Sequence, residues 1–119
     1  FSSFSQLTTR LNSVLIVGDD IYASNPRRIE KGGRDKATSG LLLKINQIGT
    51  VSEAERAAEI ARQNDMSVIV SVRSHETNDD FTADFAVAVA AEMMKIGAPI
   101  RGERLAKINR LLNIEASCR

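Results

Sequence analysis

The chain has a single cysteine, Cys118, next to its last residue, so no disulfide can staple the fold; this fits a reducing, cytoplasmic compartment. It has almost no excess of charge of either sign. Sixteen basic against fifteen acidic residues leave +1, and no long-range field argues for nucleic acid or a membrane surface. It has no long hydrophobic run either: every apolar stretch falls far short of the roughly 18 residues that a membrane span needs. No signal peptide, low-complexity tract, linker or internal domain boundary is visible. Its 119 residues fit one domain or part of one, with a modest core. It starts at Phe1 rather than Met, so it reads as processed, truncated or partial.

What is present is a set of short apolar runs without alternation, the mark of strands covered on both faces. They predict strands over Val14–Asp19, Leu41–Ile45, Ser67–Val72 and Met93–Ile96. Helical patterns separate them. Phe4, Leu7 and Leu11 at helical spacing predict a leading helix. Asn25-Pro26 is a strong helix start, and Gly32-Gly33 is expected to end or interrupt that helix. Thr50 or Ser52 is expected to cap a helix reaching about Asn64, with Thr50 and Glu53 at capping-box spacing and Ala54, Ala57, Ala58 and Ala61 on one face. Asp80 is expected to cap a buried helix through Phe85, Val87 and Val89. A last helix puts Leu105, Ile108 and Leu112 on one face, with Arg101, Arg104 and Arg110 largely outward. Strand–helix repeated four times behind one helix predicts an α/β fold of adjacent parallel strands with right-handed crossovers. That is half of a closed eight-fold barrel, which takes about 250 residues.

Polar residues recur at the C-terminal ends of these strands: Asp19 and Asp20, Lys44, Arg73 and Ser74, Lys95. Barrel enzymes keep their chemistry at that mouth. Each residue also has a plainer reading. Lys44 can snorkel to water, the aspartates can form a capping turn, Arg73 can bridge Glu76 or Asp79, and Lys95 can be a solvated strand end. Together they predict one shared cavity holding a hard-cation site and anchors for an anionic group. Neighbouring cations and partial burial would disfavour a protonated lysine there, as a lysine base requires.

The blocks V-G-D-D-I-Y-A-S-N-P-R-R-I, L-L-L-K-I-N-Q-I-G-T, V-S-V-R-S-H-E-T-N-D-D-F-T-A-D and K-I-G-A-P-I-R-G-E-R-L-A-K-I-N-R-L-L closely resemble the C-terminal signature blocks of enolase. A lysine base working with Mg²⁺ is the arrangement of enolase-superfamily sites. The resemblance covers essentially the whole chain. It implies the C-terminal half, four strand–helix units, of a TIM-like (β/α)8 barrel, with the N-terminal domain and first half of the barrel lying outside residues 1–119. It implies reversible Mg²⁺-dependent dehydration of 2-phosphoglycerate to phosphoenolpyruvate, and a homo-oligomer when complete. Carried over by position, Asp19 is a metal ligand and Lys44 the base at carbon 2. Arg73 and Ser74 hold the phosphate, and Lys95 holds the substrate carboxylate. The isolated 119 residues are expected to be inactive, because the other metal carboxylates and the general acid would lie elsewhere.

Two positions depart from the family's usual S-H-R-S-G-E-T: Val72 stands for the histidine and His75 for the glycine. Val72 motivates one rival, a catalytically inactive enolase-like binding protein. Another rival is a receiver-type signalling domain, which an acidic pair after V-L-I-V and a late lysine before a proline would suit. A receiver-like order would move one strand to the far side of the first.

Overall fold

Leu41, Leu42 and Leu43 have no polar neighbour to alternate with, and the strand they build, β2 (Gly40–Leu43), is buried at all four residues. A computed structural model describes residues 1–119 and places β2 between β1 (Val17–Gly18) and β3 (Ser67–Ser71), with β4 (Met93–Lys95) outermost. All neighbours are parallel and the sheet order is β1-β2-β3-β4. Strands in sequence order match the half-barrel expectation and exclude a receiver-type arrangement.

The two faces of the sheet differ. Leu41, Leu43, Val68 and Val70 join one core with Ile29, Met66, Phe85 and the small residues Ala54, Ala57, Ala58 and Ala61. Leu42 and Ile69 point the other way, level with Met93, which is 47% exposed. All the helical layer covers the first face, as in a barrel wall; the second face is the one that turns to the lumen.

Around the sheet run α1 (Ser2–Arg10), α2 (Pro26–Arg34), the single turn α3 (Ile45–Ile48), α4 (Val51–Gln63), α5 (Phe81–Ala88) and α6 (Gly102–Ser117). Asn25 caps α2 by accepting from the N–H groups of Arg27 and Arg28, and Thr50 caps α4 through Glu53 N–H. Four expectations need correction. The first strand pairs only at Val17 and Gly18. Ahead of it, Ile16 is tied to β2's entry through its carbonyl, which accepts the N–H groups of Ser39 and Gly40 at 3.0 Å, and through its own N–H, which donates to Ser39 Oγ at 2.9 Å. Helix α2 runs through Gly32-Gly33 rather than stopping there. The cause is clearance: Cβ atoms at these positions would lie 2.3 Å from the Tyr22 ring and from the Asn64 side chain. Asp80 holds the N-cap position of α5 but makes no side-chain cap bond; Asp79 Oδ1 accepts the N–H of Phe81 at 2.9 Å instead, and Val87 of α5 is exposed. The leading helix forms as expected, as α1; its apolar stripe faces outward, and two hydroxyls fasten it, Ser5 to the Asp35 carbonyl and Thr8 to the Ala37 carbonyl.

The last correction is to α6. Leu105 and Leu112 are exposed, and the residue turned fully inward is Lys107. Arg104 and Arg110 stay partly exposed but bond back to the protein. Arg110 grips Asp84 of α5 through Nε and Nη2, and Arg104 reaches the loop after β3.

Candidate active site

Parallel register fixes which side chains meet at the mouth. Leu43 pairs with Val70 and Val70 with Met94; one step on, Ser71 pairs with Lys95. Lys44 follows Leu43 with an extended backbone, φ −123 and ψ 110, so it continues the alternation level with Ser71 and Lys95. All three belong to the lumen face, with Leu42 and Ile69 beneath them. Lys44 and Lys95 therefore share a face, with one strand between them and about 10 Å of sheet from one backbone to the other.

Lys44 is the better enclosed of the two. Its Nζ lies 2.5 Å from Asp19 Oδ1, with the lysine side chain 12% and the aspartate 36% exposed. Its backbone N–H donates to Ser24 Oγ at 2.9 Å, and that buried hydroxyl in turn donates to Gln47 Oε1 at 2.8 Å. Ser24 sits in the left-handed region with φ 55, a strained serine whose hydroxyl pins the strand end carrying Lys44. Sequence reading missed Ser24 and Gln47, because no local pattern ties a loop serine to a strand 20 residues on. The crowding of Lys44 by other cations is not found; its close partner is a carboxylate.

Arg73 and Ser74 lie on the exposed loop after β3. With Lys95 and Arg104 they line a cleft of about 240 Å³ completed by Val72, Ile96 and Gly97. No carboxylate lines it, and neither the Arg73 guanidinium nor the Lys95 ammonium has an acidic partner within ion-pair distance. Three cations and a hydroxyl around one opening suit a multiply charged anion. The rim bridge from Arg73 to Glu76 or Asp79 does not form. Glu76 instead accepts the backbone N–H of Arg73 at 3.3 Å. Arg104 is the cleft residue that sequence reading placed outward; its Nη2 donates to the carbonyls of both Arg73 and Ser74 at 3.2 Å.

The single cavity expected for Asp19, Lys44, Arg73 and Lys95 is thus two neighbouring features on one mouth: a Lys44–Asp19 pair and an Arg73–Ser74–Lys95–Arg104 cleft. His75 turns toward a second cleft of about 380 Å³ beside α3, its Nδ1 3.3 Å from Ser74 Oγ. A metal would find an incomplete set here. No three His, Cys, Asp or Glu side chains stand close enough to hold an ion, and the Asp19 carboxylate already receives Lys44. No helix is long and apolar enough to cross a membrane.

The family described as "Enolase, C-terminal TIM barrel domain" matches residues 1–118. The chain belongs to the enolase family. It is 55% identical over 115 residues to the enolase of Methanothrix thermoacetophila, 54% to that of Methanosarcina barkeri and 47% to that of Saccharolobus solfataricus. Each alignment takes in 97% of this chain and 27% of the relative. The chain thus spans about a quarter of the length of the curated enolases it matches, and its fold is the C-terminal half of an enolase-type barrel.

Proposed function

We propose that residues 1–119 are the C-terminal part of an enolase's catalytic barrel, and that the complete protein, a lyase, interconverts 2-phosphoglycerate and phosphoenolpyruvate in the cytoplasm as a homo-oligomer. The observation that carries this reading is the carboxylate-free cationic cleft of Arg73, Ser74, Lys95 and Arg104, set on the same face and level as Lys44. Arg73 and Ser74 take the phosphate, with the planar guanidinium matching two of its oxygens. Lys95 takes the substrate carboxylate, whose charge must be balanced as the adjacent C–H bond ionises. Lys44 accepts the proton from carbon 2, the C–H electron pair forms the C2=C3 double bond, and the carbon-3 hydroxyl leaves as water with a proton from a general acid outside residues 1–119. To do so it must first part from Asp19, so the observed pair is the arrangement before substrate binds. Asp19 is proposed as one ligand of Mg²⁺, which would offset charge on the substrate's oxygens. This chain supplies too few donors to complete that site.

The test uses the complete polypeptide and the ultraviolet absorbance of the enol phosphate. Lys44→Ala should lower kcat by at least about 10²–10⁴-fold, the usual share of a general base, while inorganic phosphate still inhibits. Lys44→Arg should not rescue, because a guanidinium stays protonated at any working pH. Arg73→Ala should act chiefly on KM. Turnover by Lys44→Ala within about threefold of the parent would remove the base assignment, and no turnover by the parent itself would favour the inactive binding protein.

A further inference from the structure

We propose that Lys107 is a positioning residue that sets the shape of the Arg73–Ser74 anion loop from behind, an inference that rests on the reading of that loop as the phosphate site. Lys107 is 0% exposed and lines neither cleft at the strand ends. An ammonium has three hydrogens to place and is costly to bury without acceptors. Here four oxygens surround Nζ: the carbonyls of Thr77 at 3.0 Å, Asp79 at 2.7 Å and Glu103 at 3.0 Å, and Glu76 Oε2 at 3.0 Å. Three of the four belong to the loop, not to the helix that carries the lysine.

The loop needs such a post. From Arg73 to Asp79 it makes no backbone–backbone hydrogen bond. Side chains order it instead. Arg104 draws in the carbonyls of Arg73 and Ser74, and one helical turn later on the same face of α6 Lys107 draws in those of Thr77 and Asp79. Glu76 links the two halves: one carboxylate oxygen meets Lys107 and the other accepts the N–H of Arg73. The line Lys107–Glu76–Arg73 N thus runs from a buried charge to the backbone of the phosphate ligand. A loop without this hub has more conformations to give up on binding, which weakens binding without touching the proton transfer.

Arg110 separates this role from plain helix docking. It fastens α6 to α5 through Asp84 and makes no hydrogen bond or ion pair to residues 73–79 of the loop. In the complete protein, Lys107→Met should raise KM for 2-phosphoglycerate, and the inhibition constant of inorganic phosphate, by about tenfold or more with kcat within about threefold. Amide exchange over residues 73–80 should quicken in the same variant. Arg110→Met should lower thermal stability but leave both constants within about twofold. Glu76→Ala, cut in the middle of the line and usable if Lys107→Met does not fold, should weaken phosphate in the same direction. Its double variant with Lys107→Met should lose no more than the worse single change. Phosphate inhibition unchanged in Lys107→Met or, failing its folding, in Glu76→Ala would overturn the proposal, as would an equal rise in Arg110→Met. Arg73→Ala tells the two failures apart. If Arg73→Ala weakens phosphate and the other changes do not, Lys107 loses its role alone; if Arg73→Ala leaves phosphate untouched, the phosphate-site reading falls and takes this inference with it.

Discussion

Replacing Gly32 by alanine sets helix propensity against packing. In the last turn of α2 the change should gain at most about 1 kcal/mol from propensity alone. Yet the new methyl would lie 2.3 Å from Tyr22 Cε1, 2.4 Å from its hydroxyl and 2.6 Å from Cζ. The ring has nowhere to go, because Gly18 presses its other edge, where a Cβ would come within 2.3 Å of Cε2. Its hydroxyl is also tethered to Thr38 Oγ1 at 2.7 Å, and the residue is wholly buried. Overpacking of this kind costs about 1–3 kcal/mol, and swinging the ring off Thr38 would forfeit a further ~0.5–1.5 kcal/mol. The net expectation is a loss of about 1–3 kcal/mol. Thermal melting of the complete protein, with amide exchange over residues 18–34, reads it. The decisive comparison repeats the substitution in a Tyr22→Leu background, where the methyl fills space instead of striking a ring. There Gly32→Ala should be neutral or stabilising. A gain of stability in the parent, or an equal loss in both backgrounds, would refute the argument from clearance.

Hydrogen bonds from Arg110, and then its charge, hold the Asp84 carboxyl below the usual carboxylate range. The stability this pair adds is present above the ordinary aspartate value and lost as pH falls through the lowered one. The melting-temperature deficit of Arg110→Met should therefore be full at neutral pH and close in strong acid; a deficit independent of pH would count against the pair. Ser24→Ala leaves the Lys44 N–H without its acceptor and should cost about 1–3 kcal/mol, with kcat reduced more than KM. An unchanged kcat would show that Ser24 does not hold the strand end.

The strand order and the capped starts of α2 and α4 were readable because each arises from residues close in sequence: a continuous apolar run, an Asn-Pro, a Thr three before a Glu. The polar ends of the strands were readable for the same reason. What sequence reading missed depends on contacts distant in sequence. Gly32-Gly33 looks like a break until Tyr22 and Asn64 are seen to need the room. On α6 the leucine spacing pointed to the wrong face, since the inward face meets a loop of carbonyls and a carboxylate, for which Arg104 and Lys107 are the fitting partners. The shortened first strand reflects one open side: Val14–Ile16 has β2 to lean on and no neighbour opposite.

A sheet whose order in space repeats its order in the chain also has a kinetic character. Gly40 pairs with Val17, Ser67 with Gly40 and Met93 with Ile69, so every strand docks on the one made just before it. No strand must be threaded between two that have already joined. The loops to be closed are of similar length, and closure entropy changes by only about 0.6 kcal/mol for each doubling. Such a wall can grow unit by unit as it leaves the ribosome, each helix sealing the outer face of the last pairing. The growing end at each stage is a bare strand edge, the usual point of misassociation. At the final one, β4, Lys95 puts a charge on that edge, which disfavours such pairing.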